Sequence, residues 1–217
     1  IQLSYLFWKN AGVTTHFTER WLQAAKKVVE VFHTEQEHEE KSPYTFERKN
    51  CVFTDTLSRE GKGALVKSGI GLIWSGFRPS DDACVYGYLI PSNMLACVIL
   101  GYLSEIAETV YGDMEFAAEA KAFSHTVRTA IETYAHIPMM DGVYAYEVDG
   151  FGQYLMMDDA NLPSLLSMPY FGYCGKDDPN YLKTRELILS DANPYYYEGK
   201  ALQGIGSPHT PARQVWH

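Results

Sequence analysis

The sequence predicts an all-α protein in which paired helices stack into a toroid and long loops gather at one end. Three observations point there. Apolar residues recur at three- and four-residue steps in several long segments. Only Gly112 and Asp113 separate two of these stripes, which forces an αα-hairpin. The stretches between helices, 45–88, 139–161 and 195–217, are long and rich in glycine and aromatic residues, as functional loops are.

Taken in order, Ile1 to Trp8 reads as the tail of a helix. Thr18 is a capping residue, and behind it Trp21, Leu22, Ala25, Val28, Val29 and Phe32 form one apolar face. The acidic run from Thr34 to Lys41, with Glu35, Glu37, Glu39 and Glu40 around His38, is expected to be a solvated helix end. Leu95, Val98, Ile99, Tyr102, Leu103, Ile106 and Val110 make the second stripe. Phe116, Ala120, Phe123, Val127, Ala130, Tyr134 and Ile137 make the third, entered by Asp113 as N-cap. Val143 to Val148 predicts a short strand or hairpin, and Leu162 to Met168 a short helix closed by Pro169. Asp178-Pro179 opens a final helix, since proline fits the first helical position. Gln214 to His217 reads as the approach to another helix, and the whole is expected to be a single domain, residues 1–217, incomplete at both ends.

Composition narrows the function. With 18 basic and 27 acidic side chains the net charge is −9, which repels a phosphate backbone, so nucleic acid is not an expected partner. The most apolar stretch, Pro91 to Leu103, is interrupted by Ser92, Asn93 and Gly101 and falls short of the roughly 20 residues that span a bilayer, so no membrane partner is expected. Cys51, Cys84, Cys97 and Cys174 are far apart in the chain, form no C-x-x-C pair and are expected to be buried thiols. The opening residues carry no charged-then-apolar leader. No P-loop, dinucleotide fingerprint or G-x-S-x-G elbow is present, which disfavours nucleotide chemistry and a serine nucleophile.

The chemistry is concentrated in three loops. In the first, Trp74-Ser75-Gly76-Phe77-Arg78-Pro79-Ser80-Asp81-Asp82-Ala83-Cys84, two carboxylates sit beside an arginine and two aromatic rings. Glycosidic cleavage requires one carboxylic acid to protonate the departing oxygen and a second carboxylate to activate water or attack the anomeric carbon. Adjacent aspartates on a turn point in different directions, so Asp81 and Asp82 are expected to divide the labour, one as acid and the other binding a hydroxyl or orienting Arg78. A cap on the next turn is the alternative for this pair. In the second loop Glu147, Asp149, Asp158, Asp159 and Asn161 lie among tyrosine, phenylalanine and glycine, a mixture suited to pyranose faces and hydroxyls. Turn and capping roles for these carboxylates are equally open at this point. Their spacing does not fit a calcium loop, and no metal or other cofactor is expected. In the third, Gly206-Ser207-Pro208-His209-Thr210-Pro211, two prolines stiffen the backbone around His209, which could donate to a sugar hydroxyl.

Together with Tyr86-Gly87-Tyr88-Leu89-Ile90-Pro91-Ser92-Asn93-Met94, these motifs, in this order, resemble glycoside hydrolase family 125, the exo-α-1,6-mannosidases, and within it the fungal-type members. The resemblance covers nearly the whole chain. It implies a partial (α/α)6 barrel, metal-independent and inverting removal of terminal α-1,6-linked mannose, and a mannose-containing oligosaccharide or N-glycan as partner. It also implies that the general acid is one of Asp81 and Asp82; from the residues themselves, Trp74, Arg78, Glu147, Asp149, Asp158, Asp159, Asn161 and His209 are expected around the substrate. The general base of the family is a glutamate in a motif nearer the C-terminus, which is expected to lie beyond His217. Rival readings are an (α/α)6 hydrolase of other α-glycosides and a carbohydrate-binding protein without catalysis.

Overall fold

In a computed structural model, which describes residues 1–215, the chain is built on helices whose stripes were legible in the sequence. Helix α1 spans Gln2–Ala11, and α2 spans Glu19–Gln36 with the Thr18 side chain accepting from the Trp21 amide. A single turn, α3, follows at His38–Lys41. Helix α4 covers Ile90–Ile106 and runs on through a π-turn at Ala107–Tyr111. Gly112, at φ 66°, ends it, and Asp113 caps α5, Met114–Tyr134, by accepting from the Phe116 amide. The reversal occurs where glycine tolerates the left-handed region and aspartate satisfies an otherwise unpaired donor.

The α4–α5 hairpin is the core. Met94, Leu100 and Leu103 of α4 and Ala120, Val127 and Ile131 of α5 are sealed from solvent. Ser104 and Ser124 donate across the interface to the Ala117 and Cys97 carbonyls. Helix α2 leans on α5 through the His33 ring stacked on Phe123, and α1 reaches α4 through Tyr5 stacked on Tyr102. The helix Ile90–Tyr111, 22 residues with an 18-residue window of mean hydropathy 1.4, is by length and composition long and apolar enough to cross a bilayer, where the interrupted run at 91–103 was expected to fall short. Its apolar side chains are placed in the core instead.

Several expectations are revised. The predicted helix at 162–168 is a string of turns. There Asp158 accepts from the Leu165 and Leu166 amides, and Ser164 and Ser167 bond each other's backbone, so side chains take the donors a helix would have used. Pro169 does not close a helix but sits in the first turn of α6, Met168–Phe171. Helix α7, Pro179–Ile188, forms as expected, with Asp178 accepting from Asn180 and Tyr181. The acidic run at 34–41 is not simply solvated. His38 is buried, its Nδ1 lies 2.6 Å from Glu35 and its Nε2 2.9 Å from the Lys62 carbonyl, and Glu39 holds Arg59 by two contacts. Cys84 and Cys97 are buried as expected, but Cys51 and Cys174 are only half-buried. Trp216 and His217, part of the expected final helix approach, lie outside the described residues, and 211–215 form no helix.

Two small sheets tie the loops together. Strand β1, Tyr88–Leu89, pairs antiparallel with β2, Glu147–Val148, which pairs with β3, Tyr154–Leu155. Of the strand predicted at 143–148 only the last two residues qualify, while Tyr144 makes an isolated bridge to His136. A second hairpin joins β4, Tyr196–Glu198, to β5, Gln203–Ile205. The first sheet fixes the site, because it brings segments some 60 residues apart in sequence into one backbone ladder beside the Arg78 loop.

Candidate active site

The segment from Trp74 to Cys84 folds back on itself. Phe77 and Ala83 form an antiparallel bridge, the Arg78 amide donates to the Asp82 carbonyl, and the Cys84 amide donates to the Gly76 carbonyl. Asp81 occupies the tip at φ 69°, a left-handed conformation that aspartate tolerates better than most residues. Its side chain is exposed. Asp82 faces the other way and is buried, its Oδ2 accepting from Ser80 Oγ at 2.8 Å and its Oδ1 lying 3.7 Å from His209 Nδ1. The two carboxylates thus diverge, as expected of neighbours on a turn.

Asp82 and Arg78 border a cavity of about 420 Å³ together with Thr54, Cys84, Met157 and Tyr195. That size is within the range of small-molecule sites. Arg78 is buried, bonded through Nε to Glu147 Oε1 and set 5.7 Å from the centre of the Tyr146 ring. Burial alone would pull its guanidinium down, but the Glu147 charge and hydrogen bond outweigh that and hold it up. Cys84 also borders the cavity, and burial pushes its thiol well above the usual range, so it is held as a neutral thiol rather than a nucleophile.

Glu147 is sealed from solvent and fully engaged. Oε1 takes Arg78, and Oε2 takes the Val85 and Tyr86 amides at 2.8 Å each. Burial pushes its carboxyl up, while Arg78 and the two amides oppose that. With both oxygens engaged, Glu147 positions Arg78 and the 84–86 backbone. Asp149 Oδ1 accepts from the Phe151 and Gln153 amides and so shapes the β2–β3 turn. Trp74 lies beneath the loop. Its ring is stacked on His38 at 3.6 Å, and Gly63 and Gly87 press so close that a Cβ on either would meet it at 2.7 and 2.6 Å. A tryptophan so enclosed is a core residue under the loop and offers no face to a sugar.

Asp158 and Asp159 are both fully buried. Asp158 braces the 164–166 turns through its two amide donors, and burial raises its carboxyl to about 7. Asp159 accepts from the Asn161 amide and side chain and from Ser207 Oγ, and it borders a separate cavity of about 320 Å³ with Ser164 and Ile205. The three loops interlock here. Ala160 donates to the Gly206 carbonyl and Gly206 donates to the Tyr195 carbonyl, so Asp159 and Asn161 set the loop that carries His209 to Asp82. Of the residues singled out from sequence, Arg78, Asp82 and His209 therefore come together, Asp81 turns away, and the rest brace them.

Sequence reasoning missed Tyr195, Met157, Leu155 and Phe53, all on the cavity wall or rim. The Asn193-Pro194-Tyr195-Tyr196-Tyr197 cluster was the available signal for one of them, and Asn193, buried, fixes that turn by accepting from the Tyr195 amide. No group of three or more histidine, cysteine, aspartate or glutamate side chains suited to a metal ion occurs among the described residues.

Fold and site define a class: a helical-hairpin domain whose loops hold one carboxylate and one buried arginine against a small cavity. The chain belongs to the metal-independent alpha-mannosidase family (GH125), whose profile matches residues 1–217. It is 40% identical, over 227 aligned positions, to the meiotically up-regulated gene 157 protein of Schizosaccharomyces pombe, covering 100% of this chain and 44% of that protein. It superposes with a TM-score of 0.94, at 44% identity, on a Streptococcus pneumoniae metal-independent alpha mannosidase solved in a non-productive complex with alpha-1,6-mannobiose. That match covers 99% of this chain and 51% of the mannosidase, so the chain spans about half the length of the relatives it matches and adopts their α/α-barrel type of fold over that half.

Proposed function

We propose that the whole protein removes terminal α-1,6-linked mannose from glycans by an inverting, metal-independent mechanism, with Asp82 as general acid. Membership of the mannosidase family and the likeness to a mannosidase that binds alpha-1,6-mannobiose support the substrate class. The observation that carries the choice of acid is the divergence of the two aspartates: Asp82 is buried on the cavity beside Arg78, and Asp81 is exposed at the loop tip.

In this reading the protonated Asp82 carboxyl gives its proton to the glycosidic oxygen as the bond to the anomeric carbon breaks. Water attacks that carbon from the opposite face and loses its proton to a second carboxylate. The products are mannose of inverted anomeric configuration and the shortened glycan. Arg78, kept charged by Glu147, is fitted to hold a hydroxyl, and His209, with its Nδ1 3.7 Å from Asp82, lies beside the acid where it can bond a sugar hydroxyl. Glu147, Asp158 and Asp159 have both oxygens occupied by internal partners and Asp149 shapes the β2–β3 turn through Oδ1, so we leave the second carboxylate to the half of the relatives' length that this chain does not span. Domain organisation follows the same reading, with residues 1–217 as part of one catalytic barrel.

Hydrolysis by the whole protein of the methyl glycoside of α-1,6-mannobiose, whose departing sugar stays locked and gives no free mannose, followed by proton NMR from the first minutes, tests the proposal. β-mannose is expected to accumulate first and then mutarotate. Initial release of α-mannose would refute inversion, and turnover confined to glucosides would refute the substrate.

A further inference from the structure

A phenylalanine ring is left in water at the mouth of the Asp82 cavity. Phe53 is 87% exposed and borders the cavity from a short 3₁₀ turn, Phe53–Asp55, with half-exposed or exposed Val52 and Val85 beside it. Core packing does not account for a large apolar side chain in this position. The turn is nevertheless held firmly. The Asp55 amide donates to the Val52 carbonyl, the Arg48 amide to Thr56 Oγ1 and the Leu57 amide to the Phe46 carbonyl. Most directly, the Ala83 amide donates to the Thr54 carbonyl at 2.8 Å, joining the residue after Phe53 to the residue after Asp82. The ring is therefore carried at a set distance from the acid.

We infer that Phe53 is the platform for the sugar on the departing side of the scissile bond. This rests on the mannosidase reading of the cavity. If the polar wall formed by Asp82 and Arg78 holds the terminal mannose, the next sugar must lie toward the mouth, where the rim is apolar. A 1,6-linkage includes an extra rotatable carbon–carbon bond, so that sugar is loosely oriented by the linkage itself. An aromatic face orients it through its C–H surface without reading its hydroxyls, which selects for the presence of a second ring more than for its identity.

The test uses the whole protein and two substrates, α-1,6-mannobiose, which has the second ring, and α-mannosyl fluoride, which lacks it. For Phe53→Ala, kcat/KM on mannobiose is expected to fall about three- to tenfold further than on the fluoride, with Phe53→Tyr restoring the difference. Equal losses on both substrates, or none on either, would overturn the platform and leave the mannosidase reading standing. Failure of the unsubstituted protein on both substrates, with no binding of mannobiose above mannose, would overturn that reading and the platform with it. Thermal unfolding of Phe53→Ala is expected to match the parent, because the ring packs against so little; a large drop in Tm would overturn the inference by making Phe53 structural.

Discussion

Asp81 and Asp82 share a turn, a charge and a chain position within one residue, yet only one borders a cavity. Asp81→Asn keeps a side chain that tolerates φ 69° and removes a charge that faces solvent. Its effect on kcat/KM for α-1,6-mannobiose is expected to stay within about threefold, because surface changes away from special features are small. A hundredfold loss in the same assay would move the acid to Asp81. That a pair of carboxylates sits beside Arg78 was legible in the sequence. Which one faces inward was not, because the Phe77–Ala83 bridge and the Arg78–Asp82 backbone bond decide it, and neither leaves a periodic trace.

At the scale of elements, the central strand β2 carries Glu147 into a sealed position where it gathers Arg78, Val85 and Tyr86. Replacing it by Gln strands a buried guanidinium. Breaking such a pair costs about 3–5 kcal/mol, so Glu147→Gln is expected to lower the unfolding free energy by about that much in urea titration and to reduce turnover as Arg78 loses its aim. An unchanged midpoint would show that water or another group already serves Arg78. Gly87→Ala is expected to destabilise as well, since the new Cβ would meet the Trp74 ring at 2.6 Å with His38 stacked behind it. The long helices were readable because stripe, cap and stop agree at Thr18, Asp113 and Asp178. The 162–168 turns were not. Asp158, Ser164 and Ser167 satisfy backbone donors there without any change in the apolar pattern. Trp74, Glu147 and Asp149 do not line the Asp82 cavity but stand behind it, a distinction that residue type alone does not make.

For the molecule as a whole, the acidic loops make stability depend on pH. Burial raises the Asp158 carboxyl from its ordinary 3.8 to about 7, so between those values the folded chain holds a proton that the unfolded chain has released. The sign follows: this group's contribution to stability is greatest below about pH 4 and declines as pH rises toward 7, by a few kcal/mol at most. Asp158→Asn cannot titrate and retains one carbonyl oxygen as acceptor. Urea unfolding from about pH 4.5 to 7 is therefore expected to show a downward contribution in the parent that is missing in Asp158→Asn. Parallel curves would mean that Asp158 ionises normally. The paired long helices followed from hairpin spacing and stripes, whereas the two small sheets that lock their loops are each only two or three residues deep and give no alternation to read.

The claim on which the account rests is that Asp82 delivers a proton to the departing oxygen. Turnover of α-1,6-mannobiose by Asp82→Asn in the whole protein, set against turnover of α-mannosyl fluoride, whose leaving group has far less need of that proton, tests it most directly. The account predicts a loss of about a hundredfold or more on the disaccharide and a much smaller one on the fluoride. Disaccharide hydrolysis at near the parent rate, or equal losses on both substrates, would contradict it.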